Sequence, residues 1–206
     1  MAVGRKVGNV RRVHGRQRAG AGSRQCSFIA IIIKGCRMVG FTGSRSLSGK
    51  FKSLVTLVVS SFANQQITVG CAQGADQFVR STAPSCNVFY ASSYLGPPAA
   101  RLAQRSAALV RTVAASAHPL IIGFVTGPCP TGLQPAPQPS LCFAGFGSGT
   151  WAALALAAGL GVPVIAYWCA NQPVNLPLTW GQWQPCTSAG HTGYCLQPAA
   201  VQLSLF

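Results

Sequence analysis

Three glycine-rich segments of this 206-residue chain have the composition of anion-binding turns. They read TGSRS at 42–46, GCAQGAD at 70–76 and GFGSGT at 145–150. Glycine lets a ligand approach the backbone closely, and the N–H groups at a helix N-terminus attract phosphate. The hydroxyl and guanidinium groups in these segments add donors for phosphate or carboxylate. Together the segments predict a site for a nucleotide-like anion, although each alone is also typical of an ordinary turn and helix cap.

The second segment contains Asp76, the only acidic residue in the sequence. A carboxylate in the first turn of a helix is stabilised by the helix dipole, so capping is one interpretation of this residue. Ser or Asn would fill a capping role equally well, and the chain uses both elsewhere. We therefore predict that Asp76 contacts a ligand.

The elements that position these segments follow from an alternation of short apolar strands and longer helical stretches after Met38. This alternation predicts an α/β fold, a Rossmann-like three-layer sandwich with a mostly parallel sheet, over residues 38–168. Strands are expected at 38–43, 66–70, 87–91, 119–125 and 162–168, and helices within 48–63, from near Asp76, over about 98–116, and at 150–158. In a parallel sheet every strand-to-helix turn falls on the same edge, so the three glycine-rich segments are expected to converge.

Two stretches lie outside this alternation. Residues 126–140 are rich in Pro, Gly and Gln, and their length leaves a functional lid and a disordered insertion as open alternatives. Residues 169–206 contain four prolines and little periodicity, which predicts an irregular C-terminal tail packed against the domain or partly mobile.

Most of the positive charge lies at the N-terminus. The formal net charge is +15, yet nine of the sixteen basic residues precede Met38. Residues 1–37 are interpreted as a basic extension, with three alternatives open: a disordered arm, a targeting peptide, or sequence upstream of a natural start at Met38. Nucleic-acid binding through this extension and the same edge of the sheet stays open, but residues 38–206 are only modestly basic, which disfavours it.

The cysteine content and the hydropathy of the chain indicate the cellular compartment in which the protein is expected. The nine cysteines are scattered and no secretory signal is recognisable, which predicts reduced thiols in a cytoplasmic protein. The apolar run 150–168 contains Gly159, Gly161 and Pro163, which favours a buried helix, turn and strand over a membrane span.

One set of side chains in the tail has the chemistry of a zinc site. Cys186, His191 and Cys195 follow one another at short intervals, with Cys169 upstream. The close C-x-x-C pair of most zinc sites is missing, so we predict no metal site and keep these residues only as a weak candidate.

Four segments in order along the chain resemble the SLOG superfamily, named for the DNA-processing protein DprA and the LOG (Lonely Guy) proteins. They are TGSR at 42–45, G-x-A-x-G-x-D at 70–76, RLAQRS at 101–106 and GFGSGT at 145–150. The closest resemblance is to the small single-domain branch related to YspA and YpsA, and it covers about 38–168. It implies a Rossmann-like sheet that binds nucleotides or nucleotide-derived ligands across these turns.

The resemblance and the turn chemistry together define the predicted site. The expected ligand-binding residues are Gly43, Ser44, Arg45, Gly70, Gly74, Asp76, Arg101, Arg105, Gly147, Ser148, Gly149 and Thr150. The expected ligand is a nucleotide or an NAD-derived compound; no cofactor is assigned, no membrane partner is expected, and a homo-oligomer stays open.

Two other functions stay open beside ligand binding. LOG enzymes cleave nucleoside monophosphates with a helical Arg, which Arg105 matches, and a Glu, whose position holds Ala153 here. A phosphoribohydrolase with an altered site, with Asp76 and Arg105 as catalytic candidates, is therefore one alternative. Single-stranded DNA binding, as in DprA, is the other.

Overall fold

The computed structural model describes residues 35–188 and 191–196. The predictions about the basic extension 1–37 therefore fall almost entirely outside the described residues. The strands are β1 (Met38–Gly43), β2 (Gln66–Gly70), β3 (Asn87–Phe89), β4 (Pro119–Val125), β5 (Val164–Trp168), β6 (Trp183–Ser188) and β7 (His191–Leu196). The α-helices are α1 (Lys52–Ser60), α2 (Ala75–Thr82), α3 (Pro98–Ala114), α4 (Pro139–Cys142) and α5 (Gly149–Gly159), with single 3₁₀ turns at Gly49–Phe51, Ala91–Ser93 and Leu178–Trp180.

The described strands form one sheet in the order β3-β2-β1-β4-β5-β7-β6. The first five strands are parallel, and they are strongly apolar because helices cover both faces of the sheet. Helices α1 and α2 pack on one face, while α3 and α5 pack on the other, which gives two buried clusters. The predicted Rossmann-like α/β fold is confirmed.

The strand order reverses between β1 and β4. From β1 the chain proceeds outward through β2 and β3, and then returns to β4 on the other side of β1. In open parallel sheets, the helices on either side of such a reversal diverge and leave a crevice at the carboxyl ends of the strands. This topology positions the site described below.

Helix α5 and strand β5 account for the long apolar run of the sequence. Every residue from Thr150 to Ala158 is buried, which explains why this helix is apolar all round. The predicted helix, turn and strand are confirmed, with β5 beginning at Val164. Within the described residues, no helix combines the length and the hydropathy that crossing a membrane requires.

The predicted irregular tail is wrong for residues 183–188 and 191–196, which are strands. Strands β6 and β7 form an antiparallel hairpin, and β7 extends the sheet by pairing antiparallel with β5. Pro185 concealed this hairpin, since proline normally argues against a strand. Here it is tolerated because β6 is the edge strand of the sheet.

Candidate functional site

An open cleft of about 850 Å³ lies at the carboxyl ends of β1 and β4. Its walls come from the turn after β1 (42–46), residues 72–73 after β2, the segment after β4 (125–128), the segment that leads into α5 (145–152) and one side of α3. A cleft of this size at the strand-order reversal is the usual place for a small-molecule ligand in an open parallel sheet. All three glycine-rich segments contribute residues to this lining, so their predicted convergence is confirmed.

The turn after β1 presents hydroxyls and one cation to the cleft. The backbone N–H of Ser44 donates to the carbonyl oxygen of Phe124 at 3.1 Å, which ties this turn to the end of β4. The Ser44 and Ser46 hydroxyl oxygens lie 3.0 Å apart. Between them, the exposed Arg45 side chain forms no salt bridge or hydrogen bond with any described residue.

The N-terminus of α5 opens directly into the cleft. Ser148 caps this helix by accepting a hydrogen bond from the N–H of Trp151 at 3.3 Å. The N–H groups of Gly149 and Thr150 have no hydrogen-bond partner among the described residues. Both residues line the cleft, so these N–H groups are available to an anion.

Position 147 favours glycine because of its backbone conformation, not because neighbouring atoms leave no room for a side chain. Its φ is +87°, a conformation that favours glycine, and a Cβ built on it would meet nothing within 4 Å. The third glycine-rich segment therefore leaves open space beside the helix N-terminus.

The second glycine-rich segment lines the cleft with Ala72 and Gln73 and also supports the turn after β1. Gly74 has a φ of +68°, and a Cβ there would collide with the backbone of Ser44 and Arg45. The N–H of Ala75 donates to the carbonyl oxygen of Ser44 at 3.1 Å. This segment packs against the turn after β1 and holds it in place.

Arg80, on α2, fixes the backbone of the same segment. Its guanidinium donates to the carbonyl oxygens of Gly70 and Ala72, at 2.6 and 3.0 Å. The sequence contained no signal for this contact, because an arginine in the last turn of a short helix usually faces solvent.

Asp76 forms a buried ion pair with Arg105. Arg105 Nη1 donates to Asp76 Oδ2 at 2.8 Å, and the N–H of Ala72 donates to the same oxygen at 3.3 Å. The second terminal nitrogen of Arg105 donates to the Ser106 hydroxyl at 3.1 Å. Only 2% of Asp76 and 7% of Arg105 is exposed. Arg105 lines the cleft, whereas Asp76 lies behind it.

Burial has the largest effect on the pKa of the Asp76 carboxyl. Burial raises the pKa of this carboxyl above its ordinary value, and the charge of Arg105 and their hydrogen bond oppose that rise. Gly70 belongs to the same arrangement, since a Cβ at this position would overlap the Arg105 guanidinium. The ion pair is thus fitted against the end of β2.

The predicted ligand-binding residues fall into two groups. Those that line the cleft are Gly43, Ser44, Arg45, Arg105, Gly147, Ser148, Gly149 and Thr150. Gly70, Gly74 and Asp76 do not line it, and their contacts hold the turns and Arg105 in position. Arg101 lies on α3 outside the lining of the cleft.

Sequence reasoning missed part of the cleft wall. Thr126 and Gly127 follow β4, and the aromatic rings of Phe143 and Phe146 line the opposite side. The adjacency of β1 and β4 would have pointed to residues 126–127, but strand order is not readable from one sequence. Phe146 lies within the third glycine-rich segment, but the sequence does not indicate that its side chain lines a cleft.

Indole rings hold the proline-rich loop whose first residues, 126–128, line the cleft. Trp151 donates from Nε1 to the carbonyl oxygen of Gly127, and Trp180 donates to that of Leu133, both at 2.9 Å. The Trp151 and Trp180 rings meet edge to face, with centroids 5.7 Å apart. The loop of residues 126–138 is thus packed against α5 and the C-terminal segment.

We expect Trp180→Phe to lower the free energy of unfolding by about 1–3 kcal/mol, because it leaves the buried Leu133 carbonyl without its donor. Trp168→Phe is the comparison variant, since the half-buried Trp168 indole donates to Gln172 in an exposed bond, and a smaller loss than at Trp180 is expected there. Urea denaturation followed by circular dichroism measures both. Equal losses in the two variants would contradict a stabilising role for the hydrogen bond from Trp180 to the loop.

The weak metal candidate gains no geometric support. Within the described ranges, no three His, Cys, Asp or Glu side chains are grouped so that they would hold a metal ion. Burial raises the pKa of the Cys169 and Cys186 thiols to about 12, which keeps both protonated at neutral pH.

Comparisons with known proteins give no family assignment. No protein-family model matches the chain, and no curated protein or solved structure matches it. The resemblance to the SLOG superfamily therefore rests on the four sequence segments alone.

Proposed function

We propose that this protein binds a nucleotide or nucleotide-derived small molecule in the cleft between β1 and β4. The observation that carries the proposal is the pair of unpartnered N–H groups, from Gly149 and Thr150, at the N-terminus of α5. They open into the cleft together with Arg45, whose charge is not offset by any described acid. A helix N-terminus beside a cation is a site for phosphate.

The rest of the cleft suits the remainder of a nucleotide. Phe143, Phe146 and Leu102 line it with apolar surface, against which a base would pack. The hydroxyls of Thr126 and Ser106 are placed along the same walls for a sugar. This combination of an anion site with apolar and hydroxyl-bearing walls supports a nucleotide over a simple inorganic anion, in line with the SLOG resemblance.

Ligand binding is favoured over hydrolysis by the absence of a carboxylate in the lining of the cleft. Ala153, at the position of the LOG glutamate, is only 1% exposed, and Asp76 lies behind Arg105. General acid–base catalysis requires a group within hydrogen-bond reach of the reacting atoms. Nucleic-acid binding depends on the basic extension, which lies outside the described residues.

Thermal unfolding of the full-length protein with a panel of ligands tests this proposal. The panel contains AMP, ADP, cyclic AMP, NAD and ADP-ribose, with adenine and ribose as phosphate-free controls. A ligand at a hundred times its dissociation constant is expected to raise the melting temperature by roughly 5–10 °C. The proposal fails if no phosphate-bearing ligand raises it more than the controls do. Chromatography of the same mixtures detects free base, which would instead support hydrolysis.

A further inference from the structure

We infer that the cleft takes its phosphate ligand as the metal-free anion, so that Mg²⁺ competes with the protein for that ligand. This inference rests on the proposed function and specifies the chemical form of the ligand. Many nucleotide sites do the opposite and bind the Mg²⁺ complex, using one or two carboxylates and the phosphates to hold the ion.

A Mg²⁺ site on a nucleotide needs at least one carboxylate. Asp76 is the only acidic side chain of the chain, and it is 2% exposed and does not line the cleft. Its Oδ2 already accepts hydrogen bonds from Arg105 and from the N–H of Ala72. No side-chain carboxylate of this sequence is therefore placed to hold an ion on a ligand in the cleft.

Hydroxyl groups often assist a carboxylate in holding Mg²⁺. In nucleotide sites of the P-loop type, a Ser or Thr hydroxyl binds the ion together with an Asp. Here the Ser44 hydroxyl accepts from the N–H of Ser46 at 3.2 Å, and the Ser148 hydroxyl accepts from the N–H of Trp151. The lining contains five further hydroxyl residues, but no side-chain carboxylate lines the cleft beside any of these hydroxyls to hold the ion with it. The further hydroxyl residues are Thr42, Ser46, Ser106, Thr126 and Thr150.

The charge of the cleft lining is positive. The charged side chains that line the cleft are Arg45 and Arg105, and only Arg105 has an acidic partner. The partial positive charge at the N-terminus of α5 adds to that of Arg45. Free phosphate complements this field, whereas a phosphate that carries Mg²⁺ would bring a divalent cation against it. The site is therefore complementary to the bare anion.

Calorimetric titration of the full-length protein with ADP tests the inference. One titration contains EDTA, and the other contains free Mg²⁺ at ten times the dissociation constant of Mg²⁺ and ADP, with NaCl to equalise the ionic strength. About one ADP molecule in eleven is then metal-free, so the apparent affinity is expected to fall roughly tenfold. Cyclic AMP is the matched control ligand, because its phosphodiester chelates Mg²⁺ weakly, and its affinity is expected to be the same in both buffers.

Unchanged or tighter binding of ADP in Mg²⁺ would overturn the inference, because the cleft would then accept the metal complex. That result would leave the proposed function intact. If neither ADP nor any other member of the panel binds in either buffer, the proposed function fails and this inference fails with it.

Discussion

Arg105→Ala is expected to lower the free energy of unfolding by about 3–5 kcal/mol, the usual cost of leaving one partner of a buried ion pair alone. The wild-type pair is held at 2.8 Å with both residues nearly inaccessible to solvent. Without Arg105, the Asp76 carboxylate loses its strongest partner and keeps the N–H of Ala72.

The loss caused by Arg105→Ala is expected to depend on pH. With the arginine removed, burial alone dominates and the pKa of Asp76 in the folded protein rises further above its unfolded value. A carboxyl with a raised folded pKa leaves stability intact below the unfolded pKa and lowers it as pH rises through the folded pKa. The variant should therefore be closest to wild type below about pH 4 and most destabilised at neutral pH.

Urea denaturation at several pH values measures both effects. Arg111→Ala is the matched control, because Arg111 is exposed on the same helix, and a change within about 0.5 kcal/mol is expected. Adding Asp76→Asn to Arg105→Ala should restore part of the lost stability and remove the pH dependence. If Arg105→Ala cost no more than Arg111→Ala, the pair would have no structural role.

Gly149→Leu is expected to weaken ADP binding more than tenfold, at least about 1.4 kcal/mol, while the protein stays folded. A Cβ at Gly149 meets nothing within 4 Å, and the residue lies in the lining of the cleft. The new side chain would occupy the space over the N–H groups of Gly149 and Thr150. Since the backbone at this position is not in the left-handed region, stability should change by no more than about 1 kcal/mol.

Gly49→Leu is the control for this substitution. Gly49 begins a 3₁₀ turn, is exposed, and also has nothing within 4 Å of a built Cβ, but it does not line the cleft. Calorimetry with ADP and thermal unfolding of both variants separate binding from folding. Normal ADP binding by the Gly149 variant would show that the N-terminus of α5 is not the phosphate site.

Local sequence determined the core of the fold. The strands β1 to β5 are read correctly because parallel strands buried on both faces are short apolar runs, and the glycine-rich turns between strands and helices mark their ends. Helix α5 can also be predicted from the sequence, since Gly159 and Pro163 interrupt an otherwise continuous apolar run and mark where the helix ends. The hairpin β6–β7 cannot be predicted from the sequence in this way. Pro185 is compatible with a strand only at the edge of a sheet, and which strand lies at the edge is decided by the tertiary structure.

The roles of individual site residues were decided by tertiary structure. Gly74 and Gly147 stand in similar sequence surroundings, yet a Cβ on Gly74 would strike the neighbouring turn while one on Gly147 would meet open space. Asp76 was expected to contact a ligand, but the fold brings Arg105 to it from 29 residues away. The sequence by itself determined which residue types gather at the carboxyl edge of the sheet. Which of them face the cleft and which support it depends on neighbours that are distant along the chain.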